Sequence, residues 1–301
     1  NLFNGNQTIV NNDNIIASSD QSTYVLNIKN GSKVWNADLV KNFGGKAPYW
    51  GFSESVLVHG NNVVVTPGGG KGAIVALDKI TGKQIWQSKE IKDGAQYSSI
   101  IPIKHNGDDQ YVQLFMKSLV GVSATDGSLL WKTDWNGRTA VIPTPIYKNG
   151  KIYISSGYNV GCKLINLSQD NKVSEVYNND TIINHHGGVI LIGEHLYGHS
   201  DRGGWKCQNF ETGEEIWRSK ELGKGAIHYA DGMLYCLGES DGTLTLVKAN
   251  TKGWEETGRF KLSPQTKLRK PSGKIWTHPV VIGGNLYLRD QEIVYCYKVK
   301  A

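Results

Sequence analysis

The chain has 301 residues, 39% of them hydrophobic and 20% charged, with a formal net charge of +6. This is the make-up of a globular chain; no apolar run reaches the ~20 residues a membrane-crossing helix needs. No basic-plus-apolar leader opens the sequence, so a cytoplasmic or an already processed protein is expected. Glycine is abundant (36 residues), with 9 Trp, 14 Tyr and only 2 Met, which suits many short strands joined by tight turns.

In chain order, a hairpin is expected at 7–17, "QTIVNNDNIIA", and a second at 24–38, "YVLNIKNGSKVWNAD". The pattern then returns as "SVLVHGNNVVV" (55–65) with "IVALDKITGKQIWQSK" (74–89). It returns again as "SSIIPIKHNGDDQYVQL" (98–114), which has a longer turn, with "VGVSATDGSLLWKTD" (120–134). Further copies are 144–154 with 162–179, 188–198 with 205–220, and 226–236 with 244–262. The last hairpin, "HPVVIGGNLYL" (278–288), is followed by a single strand ending "IVYCYKVKA".

In each second hairpin a polar turn with glycine precedes a strand carrying Trp35, Trp86, Trp131 or Trp217; Tyr177 and Phe260 take that place in two copies. Glycine tolerates φ > 0 in the turn, and Asn30, Asp78 and Asp126 can bond nearby backbone. An indole buries a large apolar area while its N–H needs a partner, which suits a wedge between sheets. Two hairpins every ~40–50 residues make a four-stranded unit, the signature of a β-propeller blade. The expected fold is therefore all-β, a propeller of four-stranded antiparallel blades in one domain spanning 1–301. Seven units are visible, the last short of its fourth strand, and "NLFNG" at the N-terminus is expected to supply it.

These units resemble the repeats of the pyrroloquinoline-quinone-like propeller superfamily, which includes quinoprotein alcohol dehydrogenases and a bacterial outer-membrane assembly lipoprotein. The stretches "KNFGGKAPYWGFSESVLVHG", "GRTAVIPTPI", "VYNNDTIINHHGGVILIGEHLYGHSD" and "HPVVIGGNLYLRDQEIVYCY" are similar to PQQ-binding-like β-propeller repeat proteins, also called polyvinyl-alcohol-dehydrogenase-like. Members of that group begin about one blade earlier, which implies eight blades; either the ring closes with seven or a blade precedes Asn1. The quinoprotein resemblance implies bound quinone with Ca²⁺, a vicinal cysteine disulfide, and Glu, Asn and Asp ligands. Cys162, Cys207, Cys236 and Cys296 are not adjacent, and no calcium set can be assigned. Free buried thiols in strands are the expectation for these cysteines.

The segments leading into the innermost strands carry the candidate ligand-binding residues: Trp50 and Glu54, Tyr97, Arg138, Asn184 and His186, Lys224, and Trp276 with His278. Tyr49, Ser53, Ser98, Thr139 and His185 accompany them, and other loops on that face add Lys117, Tyr158, Arg202, Glu239, Arg289 and Asp290. Such a ring around a concavity suits a small molecule, a glycan or a protein partner. Arg138 pairing with Glu54 or Asp290 is the structural alternative.

"NHHGG" (184–188) holds the chain's only adjacent histidines. Hairpin register sets His186 level with Trp276 and Lys224, and His185 level with Ile275 and Gly223. Alternation along a strand would face the two rings apart, so a structural or hydrogen-bonding role is expected rather than a metal, with His186 towards the ligand. "KLSPQTKLRKPSGK" (261–274) reads as a solvated basic loop, and the absence of a stacking pattern argues against nucleic acid. The expected function is a non-catalytic binding or scaffold propeller of the periplasm or cell envelope. The alternative is a quinone-dependent alcohol or polyol dehydrogenase.

Overall fold

The computed structural model describes residues 8–11, 14–19 and 22–299, and every regular element among them is a strand. The N-terminal "NLFNG" lies outside the described residues. The chain divides into two compact units, one running to Ile154 with Ile165–Glu175, the other comprising Ser155–Leu164 and everything from Val176 onward.

In the first unit, β1 (Thr8–Asn11), β2 (Asn14–Ser19), β3 (Ser22–Asn27) and β4 (Lys33–Asp38) pair in chain order into an antiparallel meander. The same order joins β5 (Leu57–His59), β6 (Asn62–Val65), β7 (Val75–Asp78) and β8 (Gln84–Gln87). It recurs in β9 (Ile101–His105), β10 (Asp108–Leu114), β11 (Ser118–Ser123) and β12 (Leu129–Asp134). The fourth meander, β13 (Ile146–Lys148), β14 (Lys151–Ser156), β15 (Gly161–Leu167) and β16 (Val173–Asn179), contributes residues to both units.

The second unit holds β17 (Val189–Ile192), β18 (His195–Ser200), β19 (Gly204–Asn209) and β20 (Glu215–Ser219), then β21 (Gly225–Ala230), β22 (Met233–Gly238), β23 (Thr243–Lys248) and β24 (Glu256–Lys261). Its last sheet has three strands, β25 (Val280–Ile282), β26 (Asn285–Asp290) and β27 (Ile293–Lys298). Within this unit β21 lies against β17 and β18 on one side and β25 on the other. First strands thus stand side by side and each sheet runs outward from them.

The tryptophans explain how successive sheets hold together. Where the third and fourth strands pair, the register shifts immediately beyond Trp35, Trp86, Trp131 and Trp217. The residue each shift leaves unpaired is the one before the Trp: Val34, Ile85, Leu130 or Ile216. A β-bulge bends the strand and re-aims its side chains. Three of these bulged residues are accordingly exposed although apolar, while Trp35, Trp86 and Trp131 are buried.

Three of the four indoles then reach a backbone carbonyl of the following sheet. Trp35 Nε1 donates to Lys79 O at 3.1 Å, Trp86 Nε1 to Ala124 O at 3.2 Å, and Trp217 Nε1 to Asn250 O at 2.9 Å. Tyr177 Oη does the same to Phe210 O at 3.1 Å. The Trp35 and Trp86 rings rest on turn glycines Gly82 and Gly127, where a Cβ would stand 2.7 and 2.4 Å from ring carbons. At the third sheet Asn171 takes the glycine's place with φ 60°. There Trp131 donates instead to Gln110 Oε1 at 2.8 Å, and the Gln110 amide donates to Asn171 Oδ1.

Cys162, Cys207 and Cys236 are buried and form no disulfide, as the strand reading expects; Cys296 departs from it, being exposed on β27. This three-stranded sheet leaves alternate residues of β27 facing outward.

Candidate functional site

In an antiparallel meander, the start of the first strand and the turn between the second and third strands share one end of the sheet. In the second unit that end gathers the polar side chains. Asn184–Gly188 precede β17, Asp201 follows β18, Lys224 precedes β21, Glu239 follows β22, and Trp276 and His278 precede β25. Tyr158, which follows β14, belongs to the same unit.

Residues 184–188 form a bend rather than part of a strand; β17 begins only at Val189. Asn184 makes the bend. It is buried, its Nδ2 donates to Gly188 O (3.0 Å) and His199 O (2.9 Å), and its Oδ1 accepts from Gly188 N (3.1 Å). Gly188 has φ 81°, a conformation costly for other residues. Strand alternation therefore does not apply to the two histidines, and the expectation that their rings face apart is corrected. The rings lie 5.1 Å apart, and both are near Trp276, at 6.4 Å for His185 and 5.1 Å for His186.

Each histidine has its own carboxylate-anchored network. Lys224 Nζ donates to His185 Nδ1 and to Asp201 Oδ1, both at 2.6 Å. With Nδ1 accepting, the proton of His185 sits on Nε2 and is donated to Tyr158 Oη at 2.9 Å. Burial, reinforced by the Lys224 charge, pushes the His185 pKa down to about 4, so this ring is neutral at physiological pH. His199, buried behind the bend, is also pushed down to about 4, mainly by burial.

His186 Nε2 faces Glu239 Oε2 at 2.7 Å, and Trp276 Nε1 donates to the same oxygen at 3.0 Å. Burial works to raise the Glu239 pKa, but the His186 bond and charge, the indole and Lys224 together hold it below the usual value. His278 Nε2 meets His186 O at 3.0 Å. His186, Lys224, Trp276 and His278 are thus brought together, with Asn184 as the brace of the bend. Glu239 and Tyr158 complete the network, and Asp201 is the member that sequence reasoning missed. Its signal was positional, one residue before Arg202 in the same turn.

The remaining ligand-binding candidates, Trp50, Glu54, Tyr97 and Arg138, lie in the first unit. Trp50 N donates to Tyr97 Oη at 3.1 Å and the rings are 5.8 Å apart, while Tyr49 packs edge-on against Trp50 at 5.0 Å. Tyr49 is 91% and Trp50 59% exposed, and Arg138 is exposed. Glu54 is not presented at the surface. It is buried, accepts from Thr66 N, and leaves Oε2 without a partner. Burial outweighs the Thr66 hydrogen bonds and raises its pKa to about 7. Glu54 is thus engaged with Thr66, and Asp290 is engaged with Arg269 at 3.2 Å.

The resemblance to quinoproteins raises the question of a calcium-held quinone, and the residues present do not fit one. None of the four cysteines is in a disulfide. Among the described residues no group of three or more His, Cys, Asp or Glu side chains is placed to hold a metal ion. Lys224, the cation of the cluster, is committed to Asp201 and His185.

Three comparisons with known proteins bear on the fold. The structure of BamB from Moraxella catarrhalis superposes with a TM-score of 0.69 at 15% identity, covering 97% of this chain and 81% of that one. A quinohemoprotein alcohol dehydrogenase from Comamonas testosteroni gives a TM-score of 0.59 at 11% identity, over 97% of this chain and 65% of that one. At such identities the likeness shows the fold alone, and the seven antiparallel sheets are blades of a β-propeller. No curated protein matches the sequence significantly. No helix among the described residues is long and apolar enough to cross a membrane. The family profile described as "Outer membrane protein assembly factor BamB" matches residues 4–219, and the chain belongs to that PQQ-like propeller family.

Proposed function

We propose that this chain is a partner-binding scaffold of the bacterial cell envelope, working in the periplasm without catalysis, with a protein as its ligand. The partner contacts the sheet end that carries Trp276. The family supports the setting, since its description is that of an outer-membrane assembly factor. The observation that carries the reading is Trp276 itself: 58% exposed, yet tied through its indole N–H to Glu239 and packed at a tilt against the His186 ring. An exposed aromatic fixed before binding loses little rotamer freedom on contact, which is what interface anchors need. The charges beneath it are paired internally, so the network stiffens the rim.

The test replaces Trp276 with a photo-crosslinking amino acid in bacteria that export the chain to the periplasm. Discrete adducts with envelope proteins are expected, absent when the crosslinker sits at Ile80, an exposed position in a turn of the other unit. Identical adducts at both positions would remove the reading. Saturable uptake of pyrroloquinoline quinone with Ca²⁺, accompanied by dye-linked alcohol oxidation, would replace it with a dehydrogenase.

A further inference from the structure

The segment 261–274 carries five basic side chains and no acidic one. Two of the five are neutralised in place: Lys261 lies 3.4 Å from Asp241, and Arg269 3.2 Å from Asp290. Lys267, Lys270 and Lys274 are exposed, and Lys274 Nζ donates to the Ser240 hydroxyl at 3.1 Å. Arg269, Lys270 and Lys274, with Leu268, Trp276 and Gln291, line a hollow of about 380 Å³. Arg289, whose Nε donates to Gln291 O at 2.7 Å, adds a further cation beside it.

The walls are as informative as the charge. Leu268 is 71% exposed and Trp276 58% exposed, so a positive rim meets an apolar wall. Nearby carboxylates are engaged: Glu239 with His186 and Trp276, Asp290 with Arg269, and Glu292 with the Thr266 hydroxyl at 2.6 Å. The hollow has the size of a small ligand pocket, and uncompensated positive charge favours an anionic occupant. A lipid surface calls for apolar side chains free to project. Trp276 is instead tied back to Glu239 and walls a concavity.

We propose that this hollow receives an extended acidic segment of a partner protein, with an apolar side chain between Leu268 and Trp276 and flanking carboxylates facing Lys270 and Lys274. The inference rests on the partner-binding reading and names the chemistry of the partner.

Fluorescence anisotropy of the full chain with a labelled short peptide of alternating Glu and Leu tests it, against the same peptide with Gln for Glu. The acidic peptide is expected to bind and the Gln peptide not to. Lys270→Gln with Lys274→Gln should weaken binding about tenfold, each tenfold being about 1.4 kcal/mol, and raised salt should act in the same direction. Leu268→Ser should also weaken it. All three positions are exposed, so melting temperature should stay unchanged and separates lost binding from lost folding. Equal binding of both peptides, or no effect of the lysine pair, overturns the proposal. So does preference for phosphatidylglycerol vesicles or single-stranded DNA over the acidic peptide. If adducts form at position 276 while the acidic peptide fails to bind, the inference falls and the partner reading stands. The reverse result removes the envelope reading and leaves the acidic-segment site.

Discussion

Lys224 donates to His185 Nδ1 across 2.6 Å, an ammonium bonded to a neutral imidazole. The contact is stable because the Asp201 carboxylate accepts a second hydrogen bond from the same ammonium at the same distance. Removing the cation should show in the ring. Lys224→Met is expected to raise the His185 pKa from about 4 while leaving it below 6.5, since burial is the larger cause. Titration of the ring by NMR reads this directly, and an unchanged or lower value would contradict the assignment.

His185 and His199 also set an acid limit on stability. Their folded pKa values, about 4, lie below the ordinary 6.5, so between these values the unfolded chain binds more protons. Their stabilising contribution is present above 6.5 and is lost as pH falls towards 4. The melting temperature of His199→Gln should fall less steeply than that of the parent over this window, measured as the difference between the two curves.

Glu54 acts in the opposite sense. Its folded pKa of about 7 exceeds the ordinary 4.5, so the folded chain holds the extra proton between them. That contribution is full below 4.5 and is lost as pH rises through 7. Glu54→Gln keeps the shape without the titration. It should be more stable than the parent at pH 8 by on the order of 3 kcal/mol and near parity at pH 4.5. Chemical denaturation at the two pH values decides it; a deficit at pH 8 would show that the carboxylate is favoured where it lies.

The turn glycines under the tryptophans should be among the least replaceable positions. Gly127→Ala combines φ 74° with a Cβ 2.4 Å from the Trp86 ring. Gly60→Ala has a comparable φ of 58° and open space around it. The first should cost about 1–3 kcal/mol more than the second, the range of core overpacking. Equal losses in urea melts would mean that the ring yields freely.

The bulges predict a contrast between neighbours. Trp86→Ala should cost about 3–5 kcal/mol, as for large aromatics removed from cores. Ile85→Thr, one residue away and 47% exposed, should stay within about 0.5 kcal/mol. Denaturant midpoints of the two variants test whether the bulge aims these side chains as described.

The sequence made the strands legible because period-2 alternation and Asn/Gly/Asp turns repeat throughout it. It did not reveal the bulges: Val34-Trp35 and Ile85-Trp86 read as ordinary alternation, and the extra residue appears only in the pairing register. The same limit affected "NHHGG". Alternation sets the two rings apart only along a strand, and residues 184–188 fold as a bend in which Asn184 and Gly188 turn them together. The columns themselves were informative, since His186 and Trp276, read as level, do meet. Glu54 looked like a rim residue because position along the chain does not report depth; its carboxylate is turned to Thr66.

In the second unit, bulged Trp217 stands near the turn that joins the third and fourth strands, while the His185–Lys224–Trp276 network gathers where the first strands begin. A lineage can redraw its recognition surface at the exposed positions 268, 270 and 274, provided that Arg269 still pairs with the buried Asp290 and Ile275 still fills the core.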